Sequence, residues 1–337
     1  MTAERCAAQL LCGDPAGSAE DVTRRLLAVQ AQDPRGARLT IRARSAGLSA
    51  SDVDAALASR SLLVTWLNRG TLHLVSAEDY WWLHPLTNPQ MLIGNSRRLA
   101  QEGVPPQDAE RGVAALRAAL ANDGPLTRAQ LRERVAAAGV RTEGQALVHV
   151  LALASIQGLI VRGPMAGKDQ AFVLTHDWLG TPPPAMDRDA ALGELARRYL
   201  AGHAPAGDAD LAKWAGIGLR DARAGLARCG AVHRADGLAE LPGAAQCPAV
   251  LPPPLLLGAF DPLLLGWASR APIIGPHLHI VTDNGLFRPF ALAGGRAVAT
   301  WTITGGRVVL TPFAPVDAET RAALDTEAAD VTRFLAG

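Results

Sequence analysis

Apolar positions recur at helical spacing near the start of the chain and alternate with polar ones near its end. Val22, Leu26 and Val29 fall at i, i+4 and i+7, one face of a helix. Ser18 with Asp21 three residues on forms a capping-box start. Pro34 cannot continue a helix and pushes Asp33 out of the helical region. The spacing therefore predicts a helix that runs to residue 32 and ends in a Pro-Arg-Gly turn. Gln30 and Gln32 then lie in its last turn, about 200° apart on an ideal helix. Serving one site together would require that turn to loosen.

A second helix is expected over residues 49–60, opened by Ser49 and Asp52. Residues 61–67 and 71–75 read as strands joined by Asn68, Arg69 and Gly70, a turn triplet. Helices followed by a hairpin is the order of a winged helix. Tyr80, Trp81 and Trp82 read as core. The order recurs with helices over 108–121, 127–138 and 144–157, then strands over 159–162 and 171–174 around a loop. It recurs again after Pro182, Pro183 and Pro184. There, helices fall over 190–201, 208–215 with Asp208 as N-cap, and 219–229, before strands over 232–234 and 238–241.

Composition shifts across the proline-rich residues 246–254, and strands dominate beyond it. Runs over 278–281, 287–292, 296–303 and 307–312 are separated by Asp283-Asn284-Gly285, Gly294-Gly295 and Gly305-Gly306. Such turns predict antiparallel hairpins closing a small barrel, before a last helix over 317–335. The fold class expected is α+β: three tandem winged-helix units (1–100, 101–180 and 185–245), then a β-barrel with a C-terminal helix (250–337).

Composition narrows the partners. The 337 residues carry a formal net charge of +1, so any basic surface is local and offset elsewhere. Lys168 and Lys213 are the only lysines, and the remaining positive side chains are arginine. Arginine suits phosphate recognition, although a GC-rich genome gives the same bias. Cys6, Cys12, Cys229 and Cys247 form no C-x-x-C pair and no zinc spacing, so reduced thiols, no metal and no cofactor are expected. His277 and His279 lack a third ligand. No secretory leader and no apolar run of about 18 residues occurs, which predicts a cytoplasmic protein. No exposed heptad is present, and a monomer is expected.

Four stretches, in this order over nearly the whole chain, carry a family resemblance. They are VQAQDP (29–34), WLNRGTLHL (66–74) with Glu78, Asp79, Tyr80, Trp81 and Trp82, GAFDPLLLGW (258–267), and FRPF, WTIT and GGR between 285 and 307. Together they resemble the AlkZ-type DNA glycosylases. The resemblance implies a DNA repair enzyme that acts on duplex DNA, releases alkylated purines and unhooks crosslinked ones. Some members are associated with self-resistance to a DNA-alkylating natural product. The family's Gln-hydrophobic-Gln motif matches Gln30-Ala31-Gln32, which makes Gln30 and Gln32 the implied catalytic residues. Ala31 is a small choice for the hydrophobic position.

Glutamine cannot titrate, but it can orient a water and accept its hydrogen bond. That suffices where the leaving base is already cationic, as an N7- or N3-alkylated purine is. The partial negative charge at a helix C-terminus would then favour the positive charge developing on the sugar. Asp33 reads as the start of the Pro34 turn. Arg35, Asn68 and Arg69 are candidate phosphate contacts, and His73, in the strand beside that turn, completes the DNA-side candidates while reading equally as structural. The rival reading is a winged-helix DNA-binding regulator without catalysis. A third is a protein that shields lesions without excising them.

Overall fold

The computed structural model describes residues 1–243, 250–282 and 284–337. Cys247, Asp283 and the first part of the proline-rich shift, residues 246–249, lie outside them. The chain groups into two compact units: Met1–Val53 with Arg188–Gly337, and Asp54–Asp187.

The discontinuous unit begins with α1 (Thr2–Ala8), α2 (Ala19–Leu26), the short strand β1 (Val29–Gln30) and α3 (Pro34–Arg42). Ser18 opens α2 as its spacing predicts, its side chain accepting the Asp21 N–H at 3.1 Å. Helix α4 (Ala50–Ala58) spans the boundary between the units.

The unit 54–187 holds β2 (Leu62–Leu67), β3 (Thr71–Ser76), α5 (Ala77–Thr87), α6 (Met91–Gln101), α7 (Pro106–Asp123), α8 (Arg128–Ala137), α9 (Ala146–Ile156), β4 (Ile160–Ala166), β5 (Asp169–Leu174) and α10 (Thr175–Leu179). Thr127 and Gln130 close the capping box that starts α8. The strands of this unit lie in the order β3-β2-β4-β5, all antiparallel. The two hairpins expected in separate units are thus joined edge to edge, through the pair Val64–Arg162. Helix α9 is apolar over most of its surface and packs against α6, α7 and β2. Tyr80 is buried in this core, whereas Trp81 and Trp82 are partly exposed.

Beyond residue 187 the discontinuous unit resumes with α11 (Arg188–His203), α12 (Asp208–Ala215), α13 (Leu219–Arg228), β6 (Val232–His233) and β7 (Ala239–Glu240). The N-cap of α12 is Gly207 rather than Asp208, because Asp210 reaches back to the Gly207 N–H at 2.9 Å. Next come β8 (Leu255–Leu257), α14 (Pro262–Leu265), α15 (Ala271–Ile274), β9 (Phe290–Ala293), β10 (Arg296–Thr304), β11 (Arg307–Pro312) and α16 (Ala318–Ala336). Residues 278–280, expected in a strand, form a single 3₁₀ turn after Pro276.

The expected barrel is instead an open antiparallel sheet in the order β11-β10-β9-β8. Its outer strand β8 is closed by side chains rather than by another strand. Glu327 of α16 accepts the Leu256 N–H at 3.0 Å, and Arg42 of α3 donates to the Leu256 carbonyl at 2.7 Å. With both groups occupied, that edge has no backbone hydrogen bonds left at Leu256 for a closing strand. Arg42 also pairs with Glu327 and Asp330, each at 2.8 Å.

A buried ion pair fastens the end of α3 to the GAFDP stretch. The Arg44 guanidinium meets both Asp261 oxygens at 2.9 Å, with both side chains 0% exposed. Arg44 also donates to Gln9 Oε1, and Asp261 caps α14 by accepting the Leu263 N–H. Nearby, Tyr199, His203, Trp214 and Trp267 pack ring against ring.

His203 here and His73 in the other unit are both buried, and burial pushes each imidazole down to about 3. In the unfolded chain histidine titrates near 6.5. Between those values the unfolded chain binds the extra proton. The stability gained from keeping both rings neutral is therefore whole above about pH 6.5 and lost as pH falls toward 3. The urea midpoint is expected to be lower near pH 5 than near pH 7.5, by a margin that shrinks in His73→Gln. A midpoint level between those pH values would rule out this account.

Candidate functional site

The segment between α2 and α3 departs from the helix its spacing suggests. Helix α2 stops at Leu26, and Leu27 takes φ 63° and ψ −48°. The Ala28 N–H donates to the Leu26 carbonyl at 2.8 Å. This is a γ-turn of the rare positive-φ kind, a strained geometry for any residue with a Cβ, costing about 1–3 kcal/mol. Leu27 is fully buried.

Packing around the turn holds it in place. Helix α11 lies so close that a Cβ on Gly202 would collide with the Arg25 carbonyl oxygen. Arg198 donates to the Arg24 carbonyl at 3.0 Å. Nothing in Leu26-Leu27-Ala28 signals this reversal, because leucine is an ordinary helix former and the residues packed against the turn come from α11.

After the turn the chain is extended through Val29 and Gln30 and again at Asp33. Alternate residues of an extended chain project to the same side. Gln30 and Gln32 therefore meet, with no need for a helix to loosen. The Gln30 side-chain N–H donates to Gln32 Oε1 at 2.6 Å. Gln30 is 6% exposed, while Gln32 faces solvent. Ala31, between them, is 4% exposed, so a small apolar residue suits the middle position. The pair thus consists of a buried amide steadying an accessible one. The Gln32 oxygen has a second lone pair beyond the one that Gln30 uses.

Pro34 starts a helix here instead of ending one. It occupies the first turn of α3, where its missing N–H costs nothing. Asp33 is the N-cap, one oxygen accepting the N–H groups of Arg35 at 2.9 Å and Gly36 at 3.2 Å. The idea of a helix C-terminus pointing negative charge at the sugar fails on this geometry. The helix end that follows the glutamines is an N-terminus, with the opposite polarity, and the Asp33 carboxylate already answers it. Asp33→Ala is expected to cost about 1 kcal/mol of stability and to leave base release unchanged, with Asp33→Asn restoring the cap. A denaturant midpoint and a release assay read the two effects apart, and lost release at intact stability would return Asp33 to the chemistry.

Gly36 explains why the QAQDPRG and GAFDP stretches go together. A Cβ on Gly36 would collide with the Ala259 carbonyl oxygen, and a Cβ on Gly258 would press on Gly36 and Leu39. The first turn of α3 thus rests backbone to backbone on residues 258–259, which only glycine allows.

The remaining candidates divide by exposure. Arg35 is exposed, with no carboxylate on its side chain among the described residues. Arg69 is exposed at the β2–β3 turn. Asn68, expected beside it at the surface, is 1% exposed at φ 54°. It holds the turn from inside, its N–H reaching Thr87 Oγ1 at 3.4 Å. His73 is 2% exposed, with Nδ1 2.9 Å from the Thr71 carbonyl. Its burial gives it a structural place, not a surface contact. His277 stacks on Phe313 at 4.1 Å, and His279 meets the same ring edge-on at 5.0 Å.

Comparison with known proteins adds an independent finding. The pattern of a family described as DNA glycosylase AlkZ-like matches residues 23–334. An interstrand DNA cross-link repair glycosylase of Streptomyces sahachiroi is 27% identical, over 94% of this chain and 90% of that protein. The solved structure of the Streptomyces sahachiroi DNA glycosylase AlkZ is similar with a TM-score of 0.79 at 26% identity. It covers 99% of this chain and 95% of that one.

Proposed function

We propose, since the chain belongs to the AlkZ-like DNA glycosylase family, that it hydrolyses the N-glycosidic bond of N7- and N3-alkylated purines in duplex DNA, leaving an abasic site. The observation that carries this reading is the glutamine pair, with Gln32 solvent-facing and joined to Gln30 at 2.6 Å.

The chemistry follows from what an amide can and cannot do. An alkylated purine bears positive charge, so the breaking C1′–N bond returns its electron pair to the base, which leaves neutral. The sugar takes up positive charge. A water held by the Gln32 oxygen adds to C1′ and loses its proton to solvent, because an amide cannot keep it. Gln30 fixes the rotation of Gln32, so the water is placed before the reaction begins. Neither amide titrates, and release is expected to stay level from about pH 5.5 to about pH 8.5.

A solvent-facing amide does not require the damaged base to enter an enclosed pocket. That favours bulky and crosslinked adducts among the substrates, and with them a role in resistance to a DNA-alkylating natural product. Arg35 and Arg69 supply phosphate contacts, and the three repeats of helices followed by a hairpin act as tandem winged helices that bind DNA. The protein acts as a monomer in the cytoplasm. No helix among the described residues is long and apolar enough to cross a membrane.

The test is direct. The protein is incubated with duplex DNA carrying one N7-methylguanine and then treated with alkali. Strand breaks at the lesion and none in the unmodified duplex support the glycosylase. Binding without breaks would replace it with a passive DNA-binding role.

A further inference from the structure

Arg162 stands in a row of side chains that crosses the sheet of the 54–187 unit. Val64 is its partner on one side and Phe172 on the other. Phe172 in turn exchanges backbone hydrogen bonds with Leu126 at 2.8 and 3.1 Å. Cross-strand partners project to one face, and Trp66, two residues from Val64, shares it. The Arg162 guanidinium is consequently flanked by rings, its carbon 5.5 Å from the centre of Trp66 and 5.0 Å from that of Phe172.

The Leu126 bridge sets Arg128, the first residue of α8, beside the same row. No carboxylate pairs with either guanidinium among the described residues, and the Arg162 Nε is buried without an acceptor. Burial lowers the Arg162 guanidinium to about 10, and the charge of Arg128 adds to that lowering. Arg42 and Arg44, by contrast, each meet carboxylates. Two guanidiniums that repel each other, one of them partly desolvated, make an arrangement that an anion would stabilise.

We propose that Arg162 and Arg128 together receive a backbone phosphate of duplex DNA. The assignment of the anion to DNA rests on the glycosylase reading above. A guanidinium fork matches the geometry of a phosphate, and the two rings hold the Arg162 fork in place beforehand. Such a contact positions the duplex without reading its sequence.

The experiment measures binding of an undamaged duplex by fluorescence anisotropy between about 50 and about 200 mM salt for Arg162→Met, Arg128→Gln and the double variant. The log–log salt slope is expected to fall in magnitude by about 0.9, the share of one phosphate no longer neutralised, with affinity about 15-fold weaker near about 50 mM and about fourfold weaker near about 200 mM. The weakening should be the same across sequences. Base release at saturating enzyme stays unchanged. Arg128→Gln lies on the surface and tests the proposal even if Arg162→Met folds poorly. An unchanged slope in the double variant overturns the proposal. So does a thermal midpoint raised by inorganic phosphate through Arg162 with no change in the DNA slope, which would mark a free-phosphate site. Should the wild type release no base yet keep an Arg162-dependent slope, the catalytic reading fails and the phosphate receptor stands.

Discussion

Gln32→Ala is expected to lower the single-turnover release of N7-methylguanine by at least about 10²-fold and to leave the affinity for undamaged duplex within about twofold. In the proposed mechanism the solvent-facing amide places the water at the sugar, and alanine leaves nothing to do so. Gln30→Ala should cost about as much, because Gln32 then loses the 2.6 Å hydrogen bond that sets its rotation. Gln32→Asn keeps the amide but withdraws it by one methylene. Displacements of about 1 Å are worth about 10² in rate, so the asparagine variant should resemble alanine more than the parent. Full release by Gln32→Asn would mean that the amide acts by polarity alone. Full release by Gln32→Ala would remove the pair from the mechanism.

Arg44→Met is expected to destabilise the chain by about 3–5 kcal/mol, since it leaves the Asp261 carboxylate buried without its partner. Arg44 and Asp261 meet through both oxygens at 2.9 Å with no solvent contact. Asp261→Asn should be milder, because an amide oxygen can still accept the Leu263 N–H that Asp261 now caps. Combining the two changes should recover part of the loss, the sign that the pair is coupled. Urea midpoints of the singles and the double measure this. Single variants within about 1 kcal/mol of the parent would show that the interior tolerates the lone charge.

The legible parts of this molecule were those where local chemistry decides the outcome. Thr127 and Gln130 close their own capping box. The Asn68-Arg69-Gly70 triplet makes the β2–β3 turn, and Gly305-Gly306 makes the β10–β11 turn. The family resemblance pointed to Gln30 and Gln32, whose side chains the structure joins at 2.6 Å. The local geometry of that site was not legible. Helical spacing at Val22, Leu26 and Val29 continued past Leu26 only by coincidence, because the chain reverses at Leu27, where it packs against α11, a helix that begins at residue 188. Pro34 is compatible with either end of a helix, and the Asp33 cap decides which. The open edge of β8 escaped for a similar reason. Its backbone groups are taken by Arg42 and Glu327, residues on either side of it in the chain by many tens of positions.

The discontinuous unit also sets a schedule for the ribosome. Arg44 is translated 217 residues before Asp261, a lag of roughly 10–40 s at about 5–20 residues per second. Arg44 waits through that interval without its counter-charge, and for most of it the turn before the glutamines lacks the α11 residues that pack on it. A nascent or prematurely terminated polypeptide therefore carries the motif in an unassembled form, and competence arrives only with the carboxyl-terminal third of translation.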